Sequence, residues 1–431
     1  AYGLLLIGAI TLNGIAMNAL ARRLGVAPVP AILAGVLAQT IPFVFTQLGV
    51  LQLVMLWPIL IALTCLLAWA EDPSSRWAAG LGLALAVSML TCGYHGVLFT
   101  VAALLAAPLL VRRSWWTEWQ RRAGGVLVAV GIAAVIALPF ALGQHHWIAG
   151  VEWTNDTIRN GSAAWHELAP GGRHWPGSVL LVLGLAGAVI ARRRRSTHFL
   201  VGLGVIATLI ALGTRLSVLG VRPYAELVNR FEVFAQMRSP YRATAVTQLV
   251  LVALAGHTLD WVWTRRHRVG PAIAIAAVGA VLVTSDLGSG PIVPAPPRDQ
   301  AWISYLARHP GGGVLMMPMA AGPSVIDFEP TTRAMVQGLE HGHPLVNGYT
   351  GFFPPGHAAL IDRMASFPSA ASVAELRRNH VRYVVADASW WNPTRARAAE
   401  SLGLRVVLAS KPAVVLDLRT QPDGAAARAA P

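Results

Sequence analysis

Between Tyr2 and Ser285 the chain returns ten times to an almost uncharged apolar run of about 15–21 residues, and that recurrence leaves few folds open. Hydrocarbon offers no water to satisfy peptide groups, so such runs cross a bilayer as helices that bond their own backbone. The runs are Tyr2 to Leu20, Val26 to Phe45, Val50 to Ala70, Trp77 to Thr91, Gly96 to Val111, Gly124 to Leu142, Pro176 to Ala191, His198 to Gly213, Ala243 to Trp263 and Pro271 to Ser285. Composition agrees: 55% of residues are hydrophobic, 13% are charged, and the mean hydropathy is +0.54. Soluble domains carry about a quarter charged residues. The fourth and fifth runs are separated only by Gly93, Tyr94 and His95, read here as a tight surface turn in preference to a kink.

Arginine supplies almost all of the formal charge of +14. Such a balance suits nucleic acid in a soluble domain, but here the arginines sit in short clusters between spans, so no nucleic-acid partner is expected. One set of alternate loops holds Arg22 and Arg23, Arg76, the segment "RRSWWTEWQRR", "RRRR" at Arg192 to Arg195, and Arg265, Arg266 and Arg268. By the positive-inside tendency this set is cytoplasmic. The long connections 143–175 and 214–242, and everything beyond Leu287, are then expected outside. In "RRSWWTEWQRR" the tryptophans suit the headgroup layer and the arginines anionic lipid. Both cysteines, Cys65 and Cys92, lie inside apolar runs and indicate neither a disulfide framework nor a thiolate metal site. The chain opens on Ala1 and enters an apolar run with no charged n-region or cleavage site, which suits a fragment lacking its N-terminus rather than a signal peptide.

Residues 1–287 therefore read as a multi-span membrane domain. "GSGPIVPAPPRD" marks a Pro/Gly-rich linker at 288–298, residues 299–420 have the patterning of an extracytoplasmic α/β domain, and 421–431 form a tail expected to be disordered. "GVLMMPM", "RYVVAD", "LRVVLAS" and "AVVLDLR" read as strands, and "DQAWISYLARH", "PGHAALIDRMASF" and "ASVAELRRNHV" as amphipathic helices.

No HExxH, CxxC, GxSxG or Walker A motif occurs. The pairs His145 with His146 and His341 with His343 lack a carboxylate at ligand spacing, so no metal site is assigned. The outer stretch Gly143 to Gly177 combines Glu152, Asp156 and Glu167 with Trp147, Trp153, Trp165 and Trp175. It is either a solvated loop anchored by its aromatics or a sugar platform with carboxylates able to accept a hydroxyl proton. In the second outer stretch Arg215, Arg222, Arg230, Arg238 and Arg242 oppose only Glu226 and Glu232. Those arginines pair with headgroups and local carboxylates, or they hold a phosphate, whose oxygens match the guanidinium fork.

Several stretches together resemble the polytopic bacterial glycosyltransferases of the GT-C type, which use polyprenyl-phosphate-linked sugars. "AYGLLLIGAITLNGIAMNALARRLG" is similar to the span after the family's first outer loop, "PFVFTQLGVLQLVMLWPILIALTCLLAWAED" to a re-entry with glutamines and a Trp-Pro pair, and "RSPYRATAVTQLVLVALAG" to its late Arg-x-Pro-x-Arg entry into a span. "HPLVNGYTGFFPPGHAALIDRMASFP" followed by "HVRYVVAD" resembles its outer C-terminal domain. The resemblance implies a GT-C-like fold of about ten spans in a bacterial inner membrane, with the C-terminal domain extracytoplasmic. It implies transfer of a sugar from a polyprenyl-phosphate donor to a hydroxyl of a glycan, lipid or protein acceptor. The family's main carboxylate base would lie upstream of Ala1, leaving Glu152 and Asp156 as weak candidates here. Arg238 and Arg242 would hold donor phosphate, and Asn347, Tyr349 and Trp153 would contact sugar or acceptor, though "NGYTGF" also suits a glycine-rich turn with a packed tyrosine. No cofactor is implied with certainty; a divalent metal stays open. The competing class is a transporter or flippase of lipid-linked glycans, or a membrane scaffold. Transporters tend to show internal repeats and ionisable groups at mid-membrane depth, whereas these spans hold little polar beyond Asn13, Asn18, Gln39 and Gln248.

Overall fold

The computed structural model describes residues 2–148, 153–265, 268–284, 300–320, 325–350, 353 and 356–419. The chain divides into two compact units, Ala1–Ile292 and Val293–Pro431. The proposed linker 288–298 and tail 421–431 lie outside the described residues, as does Glu152.

The first unit is helical: α1 (Tyr2–Arg23), α2 (Pro28–Gln39), α3 (Pro42–Thr46), α4 (Leu51–Val54), α5 (Trp57–Glu71), α6 (Ser75–Thr91), α7 (Gly93–Ala106), α8 (Trp119–Ile148), α9 (Asn155–Asn160), α10 (Ser178–Ile190), α11 (Arg195–Ala211), α12 (Pro223–Arg230), α13 (Glu232–Ala235), α14 (Thr244–Arg265) and α15 (Gly270–Thr284). All ten apolar runs are helical. By length and composition, six stretches among the described residues can cross a membrane, and α10, α11 and α15 are shorter apolar helices. A single extended residue, Cys92, separates α6 from α7. Gly96 there lies so close to Met89 that an added Cβ would come 2.9 Å from its Cα, the tight turn expected from the sequence.

The second and third runs are not the continuous spans that hydropathy suggests. α2 stops at Gln39 and α3 restarts at Pro42; α4 stops at Val54 and α5 restarts at Trp57-Pro58. Proline lacks an N–H and disfavours helix at the residue before it, so each break falls where the ladder is already interrupted. The freed peptide groups are buried and need partners. Asn13 donates from Nδ2 to the Val54 carbonyl at 2.8 Å and accepts the Leu56 N–H on Oδ1 at 2.9 Å. Gln248 accepts the Phe43 N–H at 3.0 Å. Residues 40–56 consequently form an inward-folded segment, with Ile41, Phe43, Val44, Leu53, Val54 and Leu56 buried. α10 lies directly on α14: a Cβ on Gly187 would fall 1.9 Å from the Leu254 carbonyl oxygen.

The second unit contains α16 (Ala301–Arg308), β1 (Gly313–Met317), α17 (Glu329–His341), α18 (His357–Met364), α19 (Ala370–Arg378), β2 (Val381–Asp387), α20 (Pro393–Ser401), β3 (Arg405–Ser410) and β4 (Ala413–Asp417). Its sheet has the order β1-β2-β4-β3, with β1 parallel to β2 and the rest antiparallel. Residues 344–347 run parallel along the other edge of β1, through Val314 N–H to Pro344 and Val346 N–H to Val314. One sheet face packs Leu315, Met317, Val384 and Leu416 against Met364, Leu376 and Ala399; the opposite face packs Val314, Tyr383 and Val415 against Trp302 and Leu306. The helix α17 is the element that sequence patterning did not separate from its surroundings.

Candidate functional site: an arginine and aromatic cluster

The Pro240–Ala243 turn leads directly into α14 and carries Arg242, with Arg238 just ahead of it. Neither arginine has a carboxylate within ion-pair distance among the described residues. Arg230, by contrast, pairs with Glu226 at 3.6 Å, and Arg215 donates from Nε to the Arg159 carbonyl. Arg215 and Arg230 are thus taken up by the protein itself, unlike Arg238 and Arg242.

Aromatic faces hold both. Arg242 lies over the Tyr94 ring at 4.1 Å, and Arg238 lies over the Trp153 ring at 4.9 Å. Such contacts attract the cation without neutralising it. Trp153 is strapped in place, donating from Nε1 to the Gln236 carbonyl at 3.1 Å. The Tyr94 hydroxyl accepts the Arg238 N–H at 3.1 Å, so a single tyrosine touches both arginines. The Nε of Arg242 and the Tyr224 hydroxyl are buried with no hydrogen-bond partner among the described residues. Burial pushes the Tyr224 hydroxyl pKa up from its ordinary value, so it stays protonated and able to donate.

Neighbouring segments fix this geometry. Gly161, at the end of α9, would place a Cβ 1.8 Å from the Arg238 carbonyl oxygen, so only glycine lets the backbones meet. Its own carbonyl accepts the Tyr241 N–H at 3.1 Å, and Ser162 Oγ accepts the Thr214 N–H at the end of α11. The Tyr241 hydroxyl points to Gln47 of the inward-folded segment at 3.5 Å. Asp156 is exposed on the first turn of α9, and Glu167 accepts the Ala164 N–H at 2.7 Å.

Beside the cluster, α10, α11 and α14 enclose an apolar slot of about 320 Å³, lined by Leu181, Leu185, Gly204, Val205, Leu251 and Leu254 among others. His174, Trp175, Thr244 and Gln248 line it as well. His174 stacks on Tyr241 with ring centroids 4.7 Å apart. Burial lowers its pKa to about 4, with the Arg173 charge adding to this and Glu167 opposing it, so the imidazole is neutral at physiological pH.

Sequence reasoning singled out Arg238, Arg242 and Trp153, which the fold gathers, but missed Tyr94, Tyr224, Gln47 and His174. Tyr94 did leave a signal, as a polar interruption of an otherwise continuous apolar stretch. Asn347 and Tyr349 belong to the second unit. Asn347 is buried, accepting the Met316 N–H at 2.6 Å and donating to the Met316 carbonyl at 2.9 Å, which prolongs the edge pairing of β1. Tyr349 is half-buried beside Phe328.

No family model matches the sequence, nor does any curated protein. Among solved structures, ArnT from Cupriavidus metallidurans bound to undecaprenyl phosphate aligns over 98% of this chain and 85% of its own, with a TM-score of 0.51 and 16% identity. The fold is ArnT-like. It is thus the GT-C-like polytopic architecture, a membrane-protein fold that joins many apolar helices to a small sheet. The resemblance to ArnT is one of fold, since at this identity side-chain roles do not carry over by alignment.

Proposed function

We propose that the protein is a membrane glycosyltransferase that moves a sugar from a polyprenyl-phosphate donor to an acceptor hydroxyl, working at the outer face of a bacterial inner membrane. The observation that carries this reading is the pair Arg238 and Arg242, held on aromatic faces with no carboxylate partner among the described residues, beside an apolar slot between spans. An anionic phosphate joined to a long apolar chain matches a fixed positive cluster beside an apolar slot that can take part of that chain. The ArnT-like fold, found in a protein crystallised with undecaprenyl phosphate, supports the same donor class.

In this reading the acceptor hydroxyl gives its proton to a carboxylate base as its oxygen attacks the anomeric carbon, the bond from that carbon to the phosphate oxygen breaks, and polyprenyl phosphate departs with both bonding electrons. Negative charge builds on the leaving phosphate, where Arg238, Arg242 and the Tyr224 hydroxyl would stabilise it in a partly desolvated site. A transport role fits less well. The buried amides Asn13 and Gln248 are engaged in holding broken backbone.

Undecaprenyl phosphate binding to the purified chain in nanodiscs tests the reading. Arg238→Gln and Arg242→Gln are each expected to weaken binding about 10–100-fold, the loss of one charge-assisted contact of about 1.5–3 kcal/mol. Wild-type affinity in both variants would sink the donor assignment.

A further inference from the structure

A run of four aromatic rings in the second unit takes no part in the donor reading. Tyr349 lies 5.3 Å from Phe328, Phe328 lies 5.3 Å from Phe353, and Phe353 stacks on His357 at 4.4 Å. All four residues are half-buried. Neither of the apolar clusters packed on the sheet faces includes them. Large rings usually fill a core because burying them is strongly favourable. These instead form a partly open wall.

Topology accounts for their placement. Residues 344–347 lie along one side of β1 and β2 along the other, so the chain leaves β1 in one direction and later pairs on its opposite side. Phe328 comes from the connection after β1, Tyr349 and Phe353 from the return toward β2, and His357 opens α18. Parallel strands in this order bind ligands outside their carboxyl ends, where the connections diverge. At the same edge β2 ends in the exposed Asp387, whose Oδ1 accepts both the N–H and the hydroxyl of Ser389.

We propose that this edge is a carbohydrate site that takes a pyranose ring of a glycan. The electron-rich faces of the aromatic rings attract the weakly positive C–H bonds of the sugar ring. The Tyr349 hydroxyl and the Asp387 carboxylate exchange hydrogen bonds with its hydroxyls. Asn347 takes no part, because its amide is bound to Met316. The assignment stands apart from the donor reading: it concerns the other unit and a ligand with neither phosphate nor lipid.

The test is binding of the full chain in nanodiscs to an array of immobilised gluco-, galacto-, manno-, arabino- and N-acetylglucosamine-series saccharides. Wild type is expected to bind at least one series. Tyr349→Ala and Asp387→Asn should each weaken that binding at least tenfold, and Tyr349→Phe should weaken it less than Tyr349→Ala. Asp387 is exposed, so its variant should melt as wild type does and decides the matter should Tyr349→Ala fail to fold. Silence of the wild type across the array overturns the proposal, as does undiminished binding by Asp387→Asn together with Tyr349→Ala or, if that variant fails to fold, by Asp387→Asn alone. Parallel undecaprenyl phosphate binding on the same preparation reports separately on the donor reading, so the two can fail independently.

Discussion

At the scale of single residues, a histidine pair in the second unit behaves unlike the metal site that such a pair can suggest. His341 accepts the His343 N–H on Nδ1 at 3.1 Å, while His343 meets the carbonyls of Gly312 and Leu306 through its two ring nitrogens. Each ring is thus engaged with backbone. Burial lowers the His341 pKa to about 4, with the neighbouring His343 adding to the effect. Charging His341 would need a proton on the nitrogen that already accepts. The unfolded chain takes up that proton near pH 6.5 and the folded chain only near 4, so unfolding binds protons between the two. This contribution to stability is complete above about pH 6.5 and declines as pH falls toward 4. His341→Gln retains an acceptor but cannot titrate, so its thermal midpoint should fall less than the wild-type midpoint over that interval. Parallel midpoints for the two proteins would contradict the assignment. The sequence exposed the pair but not its role, because the carbonyls that use it come from Leu306 and Gly312, some 30 residues away.

Among elements, the inward-folded segment 40–56 is where hydropathy misleads. Its runs are apolar enough to be read as uninterrupted spans. Proline placement marks both breaks, but nothing local says that Asn13 and Gln248 will supply the missing bonds from 41 and 205 positions away. What was legible is the paucity of buried polar side chains. Asn13→Leu keeps the volume and removes both bonds, leaving the Val54 carbonyl and the Leu56 N–H with only the tight 3.0 Å bond they make to each other. Each lost bond costs about 0.5–1.5 kcal/mol. The variant should melt well below wild type in detergent, and an unchanged midpoint would mean the breaks are held otherwise. Strands β1 to β4 and the helices flanking them were legible for the opposite reason: their apolar spacing is local, whereas α17 interleaves charge and apolar residues and has no side-chain cap at its N-terminus to set it off.

For the molecule as a whole, the helical membrane unit and the helix-to-sheet transition could be read because a bilayer imposes one simple rule on every span, although six stretches, not ten, are long and apolar enough to cross one among the described residues. The position of the slot could not, since its walls come from three helices and owe their shape to close approach at Gly187. If the slot seats the prenyl chain of the donor, chain length should matter there and nowhere else. On α14 the lining runs from Thr244 to Leu254, about 15 Å of helix. Val205 lines the slot yet is 53% exposed, so Val205→Trp can fill the space with little cost to folding. Displacing even two methylenes from a buried position costs about 0.8 kcal/mol each, roughly tenfold in affinity. Val205→Trp should therefore raise KM about tenfold for a long-chain polyprenyl-phosphate sugar and leave a short-chain analogue, which never reaches the slot, unaffected. Equal effects on both donors would indicate a general disturbance of the helices. No effect on either would place the chain elsewhere on the membrane face while leaving the phosphate assignment at Arg238 and Arg242 intact, because that rests on charges outside the slot.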